Sequence, residues 1–331
     1  MIPTLISGEE SKLNNFDLTV VIPFLNEEEG IPFLVNSLNE YFGRFNSLKV
    51  EVVFVDDGST DNSVELLKSL KHNTYKFRIV KLSKNFGSIN ALYAGITNSR
   101  SPLITFNYSD LQDPLYLIEK MYEKHLEGYD IIWAERRSVN INELRIFSKL
   151  YSRLMQKYAV PGFPENGYDV AMFNEKVKEY ILKNIESNSS IFLQILSLGF
   201  KQAKIEYDKE SRKIGKSKWT LKKKIKLVID SFVSYSYAPI RFVSVSGILI
   251  SLIGFIYGLF ILVYKLSGHP MEYGWPGLII ILMIGFGLTN ISLGIIAEYL
   301  WRTLDSSRKR PVFIVDEVID ENTPVDINKP G

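Results

Sequence analysis

Two stretches of this 331-residue chain, Phe242 to Tyr264 and Pro276 to Ala297, contain no Asp, Glu, Lys or Arg. Each is at least 22 residues long. As helices they rise roughly 33 Å, enough to cross a hydrocarbon core of about 30 Å. Both are apolar all round rather than along one stripe, as suits a helix surrounded by lipid. Lys222, Lys223, Lys224, Lys226 and Arg241 precede the first stretch, and Arg302, Arg308, Lys309 and Arg310 follow the second. The loop between, Lys265 to Trp275, carries a single Lys. Positive charge favours the cytoplasmic side, so the expected arrangement is a two-span hairpin with both termini cytoplasmic. Met1 to Asn15 is polar and has no apolar core, so no cleavable leader is expected. The chain then divides into a cytoplasmic head (1–218), a juxtamembrane amphipathic segment (219–240), the hairpin (241–300) and a cytoplasmic tail (301–331). In the second of these, lysines interrupt the apolar face of Trp219 to Tyr237, as in a helix lying among lipid headgroups. Self-association stays open: Gly254 and Gly258 are spaced for close helix packing.

The head alternates between two periodicities. "LTVVIPF" (18–24), "VEVVFVDD" (50–57), "FRIVKLS" (77–83), "PLITFN" (102–107) and "DIIWAE" (130–135) are apolar runs of strand length. Segments with helical spacing lie between them, at 27–42, 61–71, 88–99 and 114–128. Asp61 and Pro114 suit helix starts, and Gly128 a helix stop. This alternation predicts an α/β head with a mostly parallel sheet covered by helices on both faces. Ligands of such sheets bind beyond the carboxyl ends of the strands. Polar clusters fall at those ends: Asn26-Glu27, Asp56-Asp57-Gly58-Ser59, Asn85-Phe86-Gly87 and Asp110-Leu111-Gln112-Asp113.

Composition removes several classes. Lys and Arg number 39 against 37 for Asp and Glu, and a net charge of +2 gives no reason to expect a nucleic-acid partner. With no cysteine, disulfides, thiolate metal sites and a cysteine nucleophile are excluded. The three histidines are scattered, which gives a zinc cluster little support. No Gly-x-Gly-x-x-Gly dinucleotide fingerprint follows any strand. The remaining signal is the acidic tip "FNYSDLQDP" (106–114), a short oxygen-rich loop after a strand, which suits a divalent cation. Asp110 and Gln112 are its candidate metal ligands. Tyr108 stands where a second carboxylate would complete an Asp-x-Asp pair. A neutral phenol is a poor ligand for magnesium but can donate a hydrogen bond to a phosphate or ribose oxygen.

Six motifs in order, "VVIPFLNEEEG", "VDDGSTD", "NFGSINALYAG", "DLQDP", "GYDIIWAERRS" and "RKIGKSKW", resemble the family 2 glycosyltransferases that charge polyprenyl phosphates with a sugar. That group includes dolichol-phosphate mannosyltransferase and bacterial relatives that modify O-antigens or lipid A. The likeness covers nearly the whole chain, and "LGIIAEYLWR" (293–302) resembles the second-span signature of bacterial members. It implies a GT-A fold in a bacterial cytoplasmic membrane, a nucleotide-sugar donor, a polyprenyl (undecaprenyl) phosphate acceptor, and Mg²⁺ or Mn²⁺ held weakly at the altered loop. By resemblance, Pro23, Glu27 and Asp57, beside Asp56, hold the base and ribose. Asp110 and Gln112 meet metal and diphosphate, and Arg136, Arg212 and Lys218 surround the donor and lipid phosphates. Asp169 is the acidic residue near the reacting sugar, so Asp169 and Asp110 are the catalytic candidates. The sequence departs from the pattern at Tyr108, at Ala171 in place of Arg, and at Ser88 in place of a frequent Lys. Two other readings stay open: a membrane-bound sugar transferase with another lipid-linked or glycan acceptor, and a non-catalytic relative that binds a ligand or partner.

Overall fold

The computed structural model describes residues 16–45, 48–137, 151–164, 167–186, 190–210, 230–231, 233–268, 274–308 and 310–320. The head begins β1 (Leu18–Phe24), α1 (Ile31–Arg44), β2 (Val50–Asp56), α2 (Ser63–Ser69) and β3 (Lys76–Leu82). It continues α3 (Ser88–Thr97), β4 (Leu103–Phe106), α4 (Tyr116–Leu126) and β5 (Ile131–Arg136). Then come β6 (Tyr168–Phe173), α5 (Glu175–Lys183), α6 (Ile191–Ser197) and β7 (Gln202–Tyr207). Two long helices follow, α7 (Ala238–Leu266) and α8 (Trp275–Ser307), and then a last strand, β8 (Val315–Asp320).

The eight strands of the described residues share one sheet, ordered β7-β5-β6-β4-β1-β2-β3-β8. β1 pairs in parallel with β2 and β4, β2 with β3, and β5 with β7; β6 and β8 run antiparallel to their neighbours. Every residue of β1 and β2 is buried, because helices cover both faces of the sheet. One apolar cluster joins the sheet to α1, α2 and α4, and a second joins it to α3, α5 and α6. In α1 the buried residues Ile31, Leu34, Val35, Leu38 and Phe42 follow helical spacing, and a Pro occupies the first turn, where its missing N–H costs nothing. α3 lies so close to the sheet that a Cβ at Gly95 would overlap Val21 Cγ1.

Three strands, two of them at the edges of the sheet, were not anticipated by the sequence reading. β6, between β5 and β4, carries Asp169 within a strand. β7 continues the sheet beyond β5. Residues 315–320, expected within a tail, form β8 against β3 instead. The head is therefore completed by chain that lies beyond the hairpin.

α7 and α8 carry the candidate spans Ala238–Tyr264 and Ile281–Ser307, with mean hydropathies of 2.4 and 1.7. Their large apolar side chains stand exposed, Phe242, Phe255 and Met283 each at 70% or more. An apolar surface of that extent calls for lipid or protein cover. The second helix runs to Ser307, past the end of the charge-free stretch. A Cβ at Gly254 or Gly258 would meet nothing within 4 Å, so their small surface is not used inside the described chain. Polar contacts tie α8 to the segment just ahead of α7, and that segment to Tyr158 of the head. Arg302 Nη2 donates to Asp230 at 2.7 Å and to Glu298 at 3.0 Å. The Tyr299 hydroxyl donates to Ser236 O at 3.0 Å, and Ser236 Oγ donates to Tyr158 O at 2.7 Å.

Candidate active site

The parallel strands β1 and β2 end together, β4 stops three residues earlier with Phe106 opposite Val21, and antiparallel β6 begins nearby with Tyr168 opposite Glu135 of β5. Two groups of side chains gather there. On the β1–β2 side, Pro23 is buried in β1 opposite Val55, and Glu27 is half-buried in the loop that follows. The two loops are clipped together: the Asn26 N–H donates to Ser59 Oγ, the Glu27 N–H to Ser63 Oγ, and the Thr60 N–H to Asn26 Oδ1, at 2.7–2.9 Å. Asp56 is fully buried; its Oδ1 accepts from the Ser59 N–H at 2.9 Å, and its Oδ2 has no hydrogen-bond partner. Asp57 is committed to the next loop, accepting from the Phe86 N–H at 2.7 Å and the Gly87 N–H at 3.0 Å. Gly58, at φ +77°, lets these loops meet, since a Cβ there would lie 2.6 Å from the Lys84 carbonyl carbon.

The second group centres on the acidic tip. Buried Asn107 ties the loop at both ends: its Oδ1 accepts from the Tyr108 N–H at 2.7 Å, and its Nδ2 donates to Asp113 O at 3.4 Å. Leu111 adopts a left-handed φ of 47°, unfavourable for leucine, and its side chain is buried in the core. That burial holds the tip in place and leaves Asp110 and Gln112 partly exposed on either side. Asp110 Oδ1 accepts from the Gln112 N–H at 3.3 Å, and Gln112 O accepts from the Glu210 N–H at 2.9 Å.

Charged side chains from four elements interlock beside this tip. Arg136, at the end of β5, is paired through Nη2 with Asp169 of β6. Lys209, just past β7, lies 2.6 Å from the same Asp169 oxygen and 3.3 Å from buried Asp113, which also accepts from the Tyr207 hydroxyl. Burial alone would raise the Asp169 carboxyl, but Arg136 and Lys209 together hold it below the usual carboxylate range. Burial and the Asp169 charge hold Asp113 above that range. Tyr108 stands among Asp169, Asp113, Asp110 and Arg136, and burial with the two nearest carboxylates pushes its phenol well above its ordinary value. It is thus a neutral hydroxyl at pH 7, as read from the sequence. Arg136 Nε is buried without a hydrogen-bond partner.

The structure thus brings Tyr108, Asp110, Gln112, Arg136 and Asp169 to one place and Pro23, Glu27, Asp56 and Asp57 to its flank. Arg212 and Lys218 lie outside the described residues. Ala171 is buried inside β6 opposite Trp133, two residues deeper than Asp169. The sequence reading missed Lys209 and Tyr207. The alternation Gln202-Ala203-Lys204-Ile205-Glu206-Tyr207 marks a strand, and its end would have pointed to both.

Among the described residues no group of three or more His, Asp or Glu side chains is placed to hold a metal ion. The tip does fit a cation that arrives with phosphate oxygens. Asp110 and Gln112 offer two oxygen-bearing side chains, and magnesium commonly sits on one or two carboxylates plus substrate phosphates. The charge balance agrees. Asp110, Asp113 and Asp169 face Arg136 and Lys209, so the described cluster is at best neutral and would not attract a diphosphate unaided.

The family description "Glycosyl transferase family 2" matches residues 19–181. An uncharacterized glycosyltransferase of Bacillus subtilis (strain 168), YkcC, is 32% identical over 301 residues, covering 90% of this chain and 93% of that one. The bactoprenol glucosyl transferase of Shigella phage SfV is 30% identical over 303 residues, covering 90% and 97%. A glucosyl-3-phosphoglycerate synthase of Mycobacterium tuberculosis, crystallised with Mn²⁺, UDP and glucosyl-3-phosphoglycerate, is similar at TM-score 0.46 and 16% identity over 66% of this chain and 78% of that one. At that distance the likeness carries nothing about the site. The chain belongs to glycosyltransferase family 2. It is a glycosyltransferase with a GT-A head and two apolar helices able to form a membrane hairpin.

Proposed function

We propose that this enzyme moves a sugar from a nucleoside-diphosphate sugar to a polyprenyl phosphate at the cytoplasmic face of the membrane. The observation that carries the reading is the presence, in one chain, of an open strand-end cluster and two long helices with charge-free stretches, α8 being tied through Arg302 and Tyr299 to Asp230 and Ser236 just ahead of α7. The relatives named bactoprenol glucosyl transferases support it, because they match this chain over its head and hairpin alike.

In this reading the nucleoside lies over the β1–β2 loops, beside Pro23, Glu27, Asp56 and Asp57, and the diphosphate lies over the acidic tip. Asp110 and Gln112 would hold Mg²⁺ or Mn²⁺ together with the diphosphate, and the ion would neutralise charge on the leaving group. Arg136, with Nε still to be satisfied, supplies a fixed cation to the same oxygens. An acceptor phosphate has its second pKa near about 6, so at neutral pH it is already an anion and needs no strong base. One of its oxygens bonds to the anomeric carbon as the bond to the diphosphate oxygen breaks, inverting that carbon. The nucleoside diphosphate departs with the electron pair. Asp169, ionised between Arg136 and Lys209, is a weak base; it orients both cations and offers negative charge to the sugar as positive charge develops. Tyr108 donates a hydrogen bond in place of the missing carboxylate.

The test is incubation of membranes holding the enzyme with labelled UDP- and GDP-sugars and undecaprenyl phosphate. A labelled, acid-labile prenyl-phosphate sugar is expected; label found only in a larger glycan would refute the acceptor. The topology has its own test, because the natural chain lacks cysteine. An impermeant thiol reagent added outside intact cells should modify Ser267→Cys and spare Ser306→Cys. The reverse pattern would invert the proposed topology.

A further inference from the structure

The chain leaves the head after β7 at one edge of the sheet and returns as β8 at the other, with the hairpin between. Seven residues separate the end of α8 from the start of β8, a reach of about 25 Å when extended. β8 runs from Val315 opposite Leu82 to Asp320 opposite Arg78. At its far end Asp320 is clamped by Arg78 Nε at 2.7 Å and Arg100 Nη2 at 2.8 Å, and Ile319 is buried. At its near end the Ser83 N–H donates to Ile314 O at 3.0 Å, and Phe313 and Val315 pack on the apolar cluster that contains Leu82 and also receives Phe86. Phe86 and Gly87 are the residues whose N–H groups converge on Asp57, and Lys84 is the residue against which Gly58 fits.

An edge strand needs cover, and the exposed Asp316 and Glu317 of β8 discourage any further strand from adding. Cover alone does not require apolar side chains on the loop beside the site. We propose that residues 313–320 are positioning residues for the nucleotide end of the site. They form a strap from beyond the membrane hairpin that fixes loop 83–87 and, through it, the Asp57-Gly58 turn. Capture of the donor then depends on a segment that membrane insertion brings back to the head. The inference rests on the reading of the strand ends as the donor site and is independent of which acceptor is used.

The test uses the full-length protein in lipid nanodiscs, as wild type, Phe313→Ala, Asp320→Ala and Phe313→Leu. In Phe313→Ala the KM for the nucleotide sugar should rise about fivefold, with kcat and the KM for prenyl phosphate within about twofold, a loss confined to donor binding. Phe313→Leu should restore the wild-type value, and Asp320→Ala should fall between. Amide exchange without substrate should quicken about tenfold at Phe86 and Gly87 in Phe313→Ala while Val20 to Ile22 stay protected. An unchanged donor KM, or unchanged exchange at Phe86 and Gly87, overturns the strap. So does a uniform loss in kcat and both KM values with faster exchange across the sheet, which would mark general destabilisation. If the wild type moves no sugar to polyprenyl phosphate, the acceptor reading fails. Exchange and the calorimetric affinity for UDP or GDP still decide the strap.

Discussion

At the carboxyl ends of the strands Arg136, Lys209, Asp169 and Asp113 share contacts, and at the opposite ends Glu51, Thr19, Ser101, Arg100, Arg78 and Asp320 do the same. The second network is closed. Thr19 Oγ1 lies 3.0 Å from Glu51 Oε2 and 2.7 Å from Ser101 Oγ, and the Arg100 N–H donates to Glu51 at 3.0 Å. Arg78 Nη1 donates to Asn98 O at 2.9 Å. None of its side-chain atoms is among the buried groups left without a partner. The first network is open, with Arg136 Nε unsatisfied and Asp56 Oδ2 unsatisfied beside it. Leaving a buried polar atom unpaired costs about 1–3 kcal/mol, so a fold does not keep such atoms without cause. In the proposed reading, the difference separates charges that hold the sheet together from charges that await a ligand.

The comparison breaks most sharply at Asp169. Asp169→Asn should lower kcat roughly hundredfold, the usual loss when one preorganised electrostatic group is removed from a transition state. The protein should still fold, because Asn keeps an acceptor for Arg136 and Lys209. Steady-state transfer and thermal melting decide it. Activity within a few-fold of wild type would make the upper network as structural as the lower one.

How far the sequence shows this contrast depends on where in the sheet one looks. The central strands β1 and β2 are buried throughout and mostly apolar, and Asp56, Asp57 and Glu27 fall at or just past their ends, so their place at the strand ends could be read directly. The acidic tip was equally plain, since Asp110, Gln112 and Asp113 crowd one short turn. The edges were not. β7 alternates and reads as half-exposed, and β8 is "VDEVID", half acidic, which hides a strand behind charges that suit an edge. Lys209 was lost with β7, and the latch at Asp320 with β8. The pairing of Asp110 with a tyrosine two residues earlier was visible, but Asp113 gave no local sign that Tyr207 and Lys209, more than ninety residues later, would claim it.

The next largest effect concerns the acidic tip. Asp110→Ala should reduce transfer about tenfold or more at low Mg²⁺, with part of the loss recovered as Mg²⁺ is raised, because the substrate phosphates supply the other ligands. Chelation should abolish wild-type transfer. Tyr108→Phe should lose only about three- to tenfold, the worth of one ordinary hydrogen bond of about 0.5–1.5 kcal/mol. Calorimetric titration of Mg²⁺ with and without sugar nucleotide is the companion measurement. Transfer that survives chelation undiminished would show that the tip needs no cation, and that the open network is completed by side chains alone.

The smallest effect lies at the closed end. Glu51→Gln keeps an oxygen for the Arg100 N–H and for Thr19, so the Asp320 latch stays seated and transfer should remain within about twofold of wild type. Its signature is a pH slope. Burial raises the Glu51 carboxyl above its ordinary 4.5, outweighing the Arg100 N–H, the Thr19 hydroxyl and the Arg100 charge, which lower it. Between 4.5 and that raised value the unfolded chain has released the proton while the folded chain retains it. The stability of the wild type relative to Glu51→Gln therefore falls as pH rises through this window, with a limiting slope of about 1.4 kcal/mol per pH, and is flat above it. Asp169 has the opposite sign: held below its ordinary 3.8, it contributes stability that is fully present above 3.8 and is lost as pH falls through the lowered value. Denaturant unfolding of wild type, Glu51→Gln and Asp169→Asn across the acid range compares the two slopes. If the Glu51 difference rises with pH, its carboxylate is stabilised by the network rather than strained by burial. The lower end would then resemble the upper one in its electrostatics, leaving the two unpartnered atoms as the whole of the distinction.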